Sequence, residues 1–320
     1  MRRTLLYVII STFMFSLMEI ALKSVQGVFA PLQLNLIRFL IGGLVLLPIA
    51  LKHRRDAEQQ FNLRDILIFA LTGFLCVIVS MTLYQIAIEY DEAATVAVLF
   101  SCNPVFSLLF AYLILRERIG RLNLISMLLS IAGLLIIVNP AKLTNPLGIS
   151  LAVGSAVTFG LYSIVSRWSS VVSGFDGITM TSYTFIAGSI ELLALILFFR
   201  IPAIANGLKS VSWMKSFVNV PILQNVGLHY FWILFFICVC VTGGGFAFYF
   251  LAMDRGGVSM ASLVFFIKPG LAPVLALLIL HETLSINTIV GILVILVSSI
   301  ITFMGNRTKT DSSEMKDAVK

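Results

Sequence analysis

Glu19, Arg38, Glu191 and Lys268 stand inside long apolar runs of a 320-residue chain. A charge buried in hydrocarbon costs at least ~2.5–3.5 kcal/mol, so each needs a partner or water. Two are acids and two are bases, so the set can neutralise itself around one cavity or offer both signs to a ligand. Lys268 directly precedes Pro269, and Pro273 follows one turn later. Each proline withholds a backbone donor and opens the helix there. The carbonyls freed in this way need protein or a water-filled cavity to satisfy them. A lysine at such a kink can hold a carboxylate or phosphate as a point charge. The alternative is a structural ion pair with Glu191. Glu191 is either that partner or a group that takes up an amine or a proton.

Glu19 precedes Lys23 by four residues, the favourable order for a pair on a helix. Its other reading is a carboxylate that alternates between a proton and a cationic ligand. Arg38 stays protonated and needs a partner or water: it can clamp Glu19, the acid of similar depth, or an anionic substrate, and the structural pair with Glu19 is the favoured reading. Substituting Arg38 should therefore chiefly lower stability. Substituting Lys268 should weaken ligand binding more than folding. Tyr84 and Tyr249 can line a cavity or simply pack, as most of the 25 Phe must.

The elements that position these groups are apolar blocks of near-spanning length, at 4–24, 31–51, 65–87, 93–115, 121–139, 148–168, 178–199, 230–253, 259–280 and 286–305. About twenty residues rising ~1.5 Å each cross a ~30 Å hydrocarbon core. Composition agrees, with 59% hydrophobic and 12% charged residues against roughly 45–50% and 25% in soluble domains. The net charge of +7 therefore reports topology and not nucleic-acid binding. Segments 1–3, 52–64, 116–121 and 307–320, with Arg167 and Arg255, hold fifteen Lys or Arg. The opposite side holds five: Lys23, Lys142, Arg200, Lys209 and Lys215. The richer side is cytoplasmic, which puts both termini there. The N-terminal run resembles a signal peptide, but Glu19 and Lys23 interrupt it, and it is read as the first membrane helix. Cys76, Cys102, Cys238 and Cys240 all lie within apolar blocks and read as buried small hydrophobes.

The chain also repeats itself. An offset of 165 carries Leu83-Tyr84, Ala87 and Glu89 onto Phe248-Tyr249, Ala252 and Asp254, Pro104 onto Pro269, and Glu117 onto Glu282. Earlier in each half the offset is 146, carrying Thr12-Phe13 onto Thr158-Phe159, and Phe39 and Gly42 onto Phe185 and Gly188. Each half then has five helices, an odd number, so the halves enter the membrane from opposite sides. The expected fold is an all-α membrane protein of ten transmembrane helices in two inverted five-helix repeats. They occupy 1–140 and 141–305, with a long external loop at 200–229 and a cytoplasmic tail at 306–320. Residues 213–217 read as an interfacial stretch of that loop. Inverted repeats recur in secondary transporters, with the site at the repeat interface. Asn103, the counterpart of Lys268, is neutral, so the halves differ where a ligand would break their symmetry. Gly243-Gly244-Gly245 permits close approach or unwinding, and its counterpart Ile78-Val79-Ser80 has no glycine.

The segment Asn103-Pro104-Val105-Phe106, followed by Ala111-Tyr112-Leu113-Ile114-Leu115-Arg116-Glu117, resembles the EamA-type members of the drug/metabolite transporter superfamily. Lys268-Pro269, with Leu278-Ile279-Leu280-His281-Glu282, is the second copy, and Arg38-Phe39 resembles the family's Arg-Phe pattern. The resemblance implies a ten-helix carrier whose Pro104, Pro269 and Pro273 act as kinks. Proteins of this kind carry amino acids, sugars, nucleotides or toxic amines.

Both signs of charge at mid-depth suit an amino acid or related zwitterion, exported or exchanged by alternating access. An exporter of cationic drugs coupled to protons is the alternative. The candidate substrate-binding residues are Lys268, Glu191, Glu19, Arg38, Asn103, Tyr84 and Tyr249. Glu117 and Glu282 lie at helix ends, where capping or cross-repeat pairing suits them better than substrate contact. The chain has no Walker, His-Glu-x-x-His or Gly-x-Ser-x-Gly motif. It is therefore read as neither an ATPase nor an enzyme, with no cofactor and no metal; a membrane-embedded enzyme or a channel is the different-class alternative. Its expected partners are a small molecule and the lipid bilayer, as a monomer or homodimer in a bacterial cytoplasmic membrane.

Overall fold

The structure, a computed structural model, describes residues 2–58, 60–116, 120–138, 145–209 and 217–317. Apolar sequence without strand alternation becomes helix almost throughout: α1 (Arg2–Ser16), α2 (Met18–Ser24), α3 (Pro31–Asp56), α4 (Leu63–Gly73), α5 (Met81–Tyr90), α6 (Ala93–Phe100), α7 (Asn103–Leu115), α8 (Arg121–Val138), α9 (Pro146–Ser173), α10 (Gly177–Phe198), α11 (Pro202–Lys209), α12 (Phe231–Phe235), α13 (Gly245–Leu280) and α14 (Ile286–Asp317). Among the described residues the only extended pairing is an isolated bridge between Gln26 and Phe29. Eight helical stretches are long and apolar enough to cross a membrane, and Leu124–Ile137 and Ile286–Ile301 are shorter apolar helices. Their outer faces carry Leu63, Leu278 and Trp232, all well exposed. An apolar exterior of this extent belongs against lipid.

Four structural details refine the sequence expectations. Tyr249 and Phe265 would lie about 24 Å apart on a straight helix, yet their rings are 5.4 Å apart. The continuous helix α13 therefore doubles back, and the apolar blocks at 230–253 and 259–280 run side by side. Helix α14 continues to Asp317, through the stretch read as a tail. Part of the 200–229 loop is helical, as α11. Of the expected interfacial stretch, residues 213–216 lie outside the described residues, and Phe217 packs on Phe199 at 6.0 Å.

Packing is reciprocal. Helix α1 lies along α13, α9 lies along α5 and α7, α3 crosses α10 at the centre, and α8 pairs with α14. Two glycines related by the repeat mark close approaches. A Cβ on Gly42 would fall 2.8 Å from Thr242 Cγ2, and one on Gly188 would fall 2.7 Å from Val77 Cγ2. The offsets that carry Gly42 onto Gly188 and Val77 onto Thr242 thus relate one contact to the other. Both glycines abut π-helical segments, Phe74–Ser80 and Phe236–Gly244, which overlap at the offset of 165. Wide turns of this kind favour functional sites. The unwinding expected at Gly243-Gly244-Gly245 takes this form, and the glycine-free first half adopts it too.

Polar ties close each end of the bundle. At one end, Lys23 Nζ donates to the carbonyls of Ile88 (2.7 Å) and Asp91 (2.6 Å). Gln33 donates to the carbonyl of Gln224, and Asn145 to that of Tyr90. Also at this end, Glu282 accepts from the amides of Ala93 (2.8 Å) and Ala94 (2.9 Å), capping α6 across the sequence. Its counterpart Glu117 lies outside the described residues. At the other end, His53 Nδ1 lies 3.2 Å from Asp176 Oδ2, and Arg255 sits over the Tyr7 ring.

Candidate functional site

Three helices bring the mid-bundle charges together. Glu19 rides on α2, just past the irregularity at Leu17 that separates α2 from α1. Arg38 lies in the middle of α3, and Lys268 precedes the internal prolines of α13. Pro269 has no N–H to offer the carbonyl of Phe265, four residues back. Lys268 Nζ meets Glu19 Oε1 at 2.7 Å, with both side chains 1% exposed. This corrects two sequence expectations: Lys268 pairs with Glu19 and not with Glu191, and Lys23 serves backbone carbonyls instead of Glu19. The Glu19 carboxylate accepts no hydrogen bond beyond the Lys268 contact.

Arg38 also departs from expectation. It makes no ion pair with Glu19. Its Nε donates to Asn35 Oδ1 at 3.0 Å, and its guanidinium stacks over Phe39, 4.5 Å from the ring centroid. Asn35 is oriented in turn by its Nδ2, which donates to Thr82 Oγ1 at 3.4 Å. Arg38 Nη2 is buried with no partner.

Arg38 and Lys268 line a narrow central cavity walled by Phe15, Phe39, Phe100, Phe159, Phe246 and Phe265, with Met18, Met81 and Thr242. In this conformation it has room for about one water. Lys268 Nζ lies 5.3 Å from the Phe100 centroid, within cation–π reach. Tyr84 is fully buried behind the wall, 4.7 Å from Phe100. Its hydroxyl is within electrostatic reach of Glu19 but closes no hydrogen bond. Tyr249 also stands behind the wall, packed on Phe15 and Phe265.

The other candidates lie elsewhere. Asn103 turns back on its own helix, donating to the Phe100 carbonyl at 2.8 Å. Pro104 sits in the first turn of α7, after the chain leaves helix at Ser101 and Cys102, so it starts a helix and does not kink one. Pro269 and Pro273 are interior to α13. Glu191 is half-buried on α10 beside exposed Ile190, away from the cavity lining, and its Oε2 has no partner. Among the described residues no three His, Cys, Asp or Glu side chains converge to hold a metal.

The aromatic wall is what sequence reasoning missed. A signal for it existed. The offset of 165 that matches Tyr84 with Tyr249 also places Phe100 on Phe265 and Met81 on Phe246, and all four of these line the cavity.

Comparison with known proteins agrees with this architecture. The profile of the EamA-like transporter family matches residues 2–139 and again 146–304. An uncharacterized transporter of Clostridium kluyveri is 32% identical over 320 residues, covering 97% of this chain and 96% of its own. A probable terminal-alkyne amino-acid exporter of Streptantibioticus cattleyicolor is 25% identical, covering 65% of this chain and 64% of that protein. A solved crystal structure superposes with a TM-score of 0.63 over 95% of this chain and 98% of that one, at 18% identity, which speaks for the fold alone. Matched twice over nearly its whole length, the chain belongs to the EamA-like transporter family.

Proposed function

We propose that this transporter is a secondary-active carrier of a small zwitterionic metabolite, an amino acid or close relative, which it exports or exchanges. The observation that carries the reading is a buried cavity holding Arg38 and the Lys268–Glu19 pair, built jointly by helices from the two ends of the sequence. Arg38 and Lys268 at the cavity surface suit the carboxylate of such a ligand, and Glu19 behind Lys268 suits its ammonium once that pair opens. The Streptantibioticus cattleyicolor protein, by its name an amino-acid exporter, favours the same substrate class.

The proposed frame is ten crossings in two inverted five-helix halves, with both termini cytoplasmic. The reciprocal packing of α1 on α13 and of α9 on α5 and α7 supports it, as does the folding back of α13. So does the grouping of loop contacts at two ends. With room for about one water, the cavity does not admit a metabolite in this conformation. A ligand enters when the halves rock apart, which is alternating access. Glu19 is the coupling group of the proposal, exchanging a proton for the ammonium of the ligand.

Counterflow in proteoliposomes tests the reading across amino acids, simple carboxylates and quaternary amines. Saturable exchange of amino acids, slowed as pH falls and protons compete for Glu19, is the expected outcome. Exchange of quaternary amines alone would point to a drug exporter, and pore-like flux without saturation would point to a channel.

A further inference from the structure

The surface that faces the cavity is more one-sided than the residue list suggests. Arg38 and Lys268 reach it, while Glu19 stands behind Lys268 and is absent from the lining. The three groups sum to one positive charge in excess. Glu19 is committed to Lys268 at 2.7 Å. Arg38, 1% exposed, contacts a neutral amide and a ring, with the Tyr84 hydroxyl and the Glu19 carboxylate within electrostatic reach but not bonded to it, and its Nη2 has no partner. A guanidinium does not shed its proton to escape burial. A buried, unpartnered cation costs stability unless an anion arrives to meet it.

We infer that Arg38, and not Lys268, receives the anionic group of the ligand, and that a carboxylate on an apolar body is the indispensable element of recognition. This deepens the carrier reading and rests on it. Lys268 stays in place as the counter-ion of Glu19. Asn35, held by Thr82, and the Phe39 ring fix the guanidinium so that Nη2 remains as the free donor. The phenylalanine wall takes the apolar body. The ammonium of an amino acid finds no acid on the cavity surface and adds little to affinity in this state.

The test uses three probes that share a 3-methylbutyl body: leucine, 4-methylpentanoate (no amine) and 3-methylbutylamine (no carboxylate). Thermal unfolding of the purified full-length chain is followed with each. The wild type should be stabilised similarly by leucine and 4-methylpentanoate, and not by 3-methylbutylamine. Arg38→Gln should raise the apparent Kd for both carboxylates roughly tenfold to hundredfold, the size of one charge-assisted bond. Without ligand, the same variant should unfold at no lower temperature than the wild type, because it removes an unpaired charge. The double variant Glu19→Gln/Lys268→Gln removes the ion pair as a unit and should weaken the response to carboxylates less than Arg38→Gln does.

Four results would overturn the inference: an Arg38→Gln protein that melts earlier yet still responds to carboxylates, loss of response in the double variant alone, stabilisation of the wild type by the amine alone, or no response to any probe. Counterflow separates this inference from the carrier reading. Amino-acid exchange that persists in Arg38→Gln leaves the carrier intact and removes the role of Arg38, whereas no exchange by the wild type removes the carrier itself.

Discussion

Lys23 and Lys268 occupy two different settings, and so do the acids near them. Lys23, at the end of α2, spends its ammonium on the carbonyls of Ile88 and Asp91. Glu282 spends its carboxylate on the first two amides of α6. These are groups that helix ends leave open, and the charges complete them. Nearby, burial pushes the Asp91 and Glu92 carboxyls above their ordinary values, with Glu282 adding to the rise and Lys23 opposing it. In the middle of the bundle the helices satisfy most of the backbone, the breaks at Pro269 and at Ser101 and Cys102 apart. Lys268, Glu19 and Arg38 have mainly side chains to meet there, and one donor of Arg38 is left over. Charges at the ends hold the helices; charges in the middle keep capacity for a ligand.

The largest effect that sharpens this contrast is expected from Lys268→Ala. It strands Glu19 in a site 1% exposed, and breaking a buried pair costs ~3–5 kcal/mol. This sets a large folding cost beside the sequence-based expectation that Lys268→Ala weakens ligand binding more than folding. Adding Glu19→Gln should recover most of the loss, and a double-mutant cycle by chemical denaturation measures the coupling. Additive losses would show that the two do not depend on each other. Next in size is Glu282→Ala, which removes a carboxylate from two amides at a half-buried helix start. A loss of about 2 kcal/mol is expected, with the KM for counterflow unchanged. A raised KM would erase the division between ends and middle.

The apolar blocks, the internal offsets and the four mid-run charges were all legible in the sequence, because hydrocarbon imposes length on a helix and demands a reason for every charge. The partners were not legible. Glu19 and Lys268 are 249 positions apart, and sequence spacing orders residues along a helix without setting which face meets another helix. Local spacing favoured Lys23 for Glu19, but Lys23 lies at a helix end where carbonyls were open. Depth alone favoured Glu191 for Lys268, yet Glu191 is absent from the cavity lining. Phe100 and Phe159 were hidden among 25 phenylalanines, since an aromatic that walls a cavity has the same local pattern as one that packs.

The smallest expected effect tests the opposite end of the bundle through pH. Asp176 is the N-cap of α10, accepting from the amides of Ile178 (2.8 Å) and Thr179 (3.0 Å) and from Thr179 Oγ1 (2.6 Å). Burial alone would raise its pKa, but the bonds from Thr179 and His53 outweigh it and leave the carboxyl below its ordinary value of 3.8. The unfolded chain therefore takes up this proton before the folded one does. Stability from the charged cap is complete above pH 3.8 and is lost as the pH falls below it. Asp176→Ala should cost about 1 kcal/mol near neutral pH, the usual worth of such a cap. The measurement is made with His53 in place, because its bond is part of what lowers the carboxyl. The gap in unfolding free energy between the wild type and the Asp176→Ala variant should narrow as the pH falls below 3.8. A gap that widened in acid would mean that the protonated carboxyl caps better than the charged one, and end charges would then not act through the backbone amides.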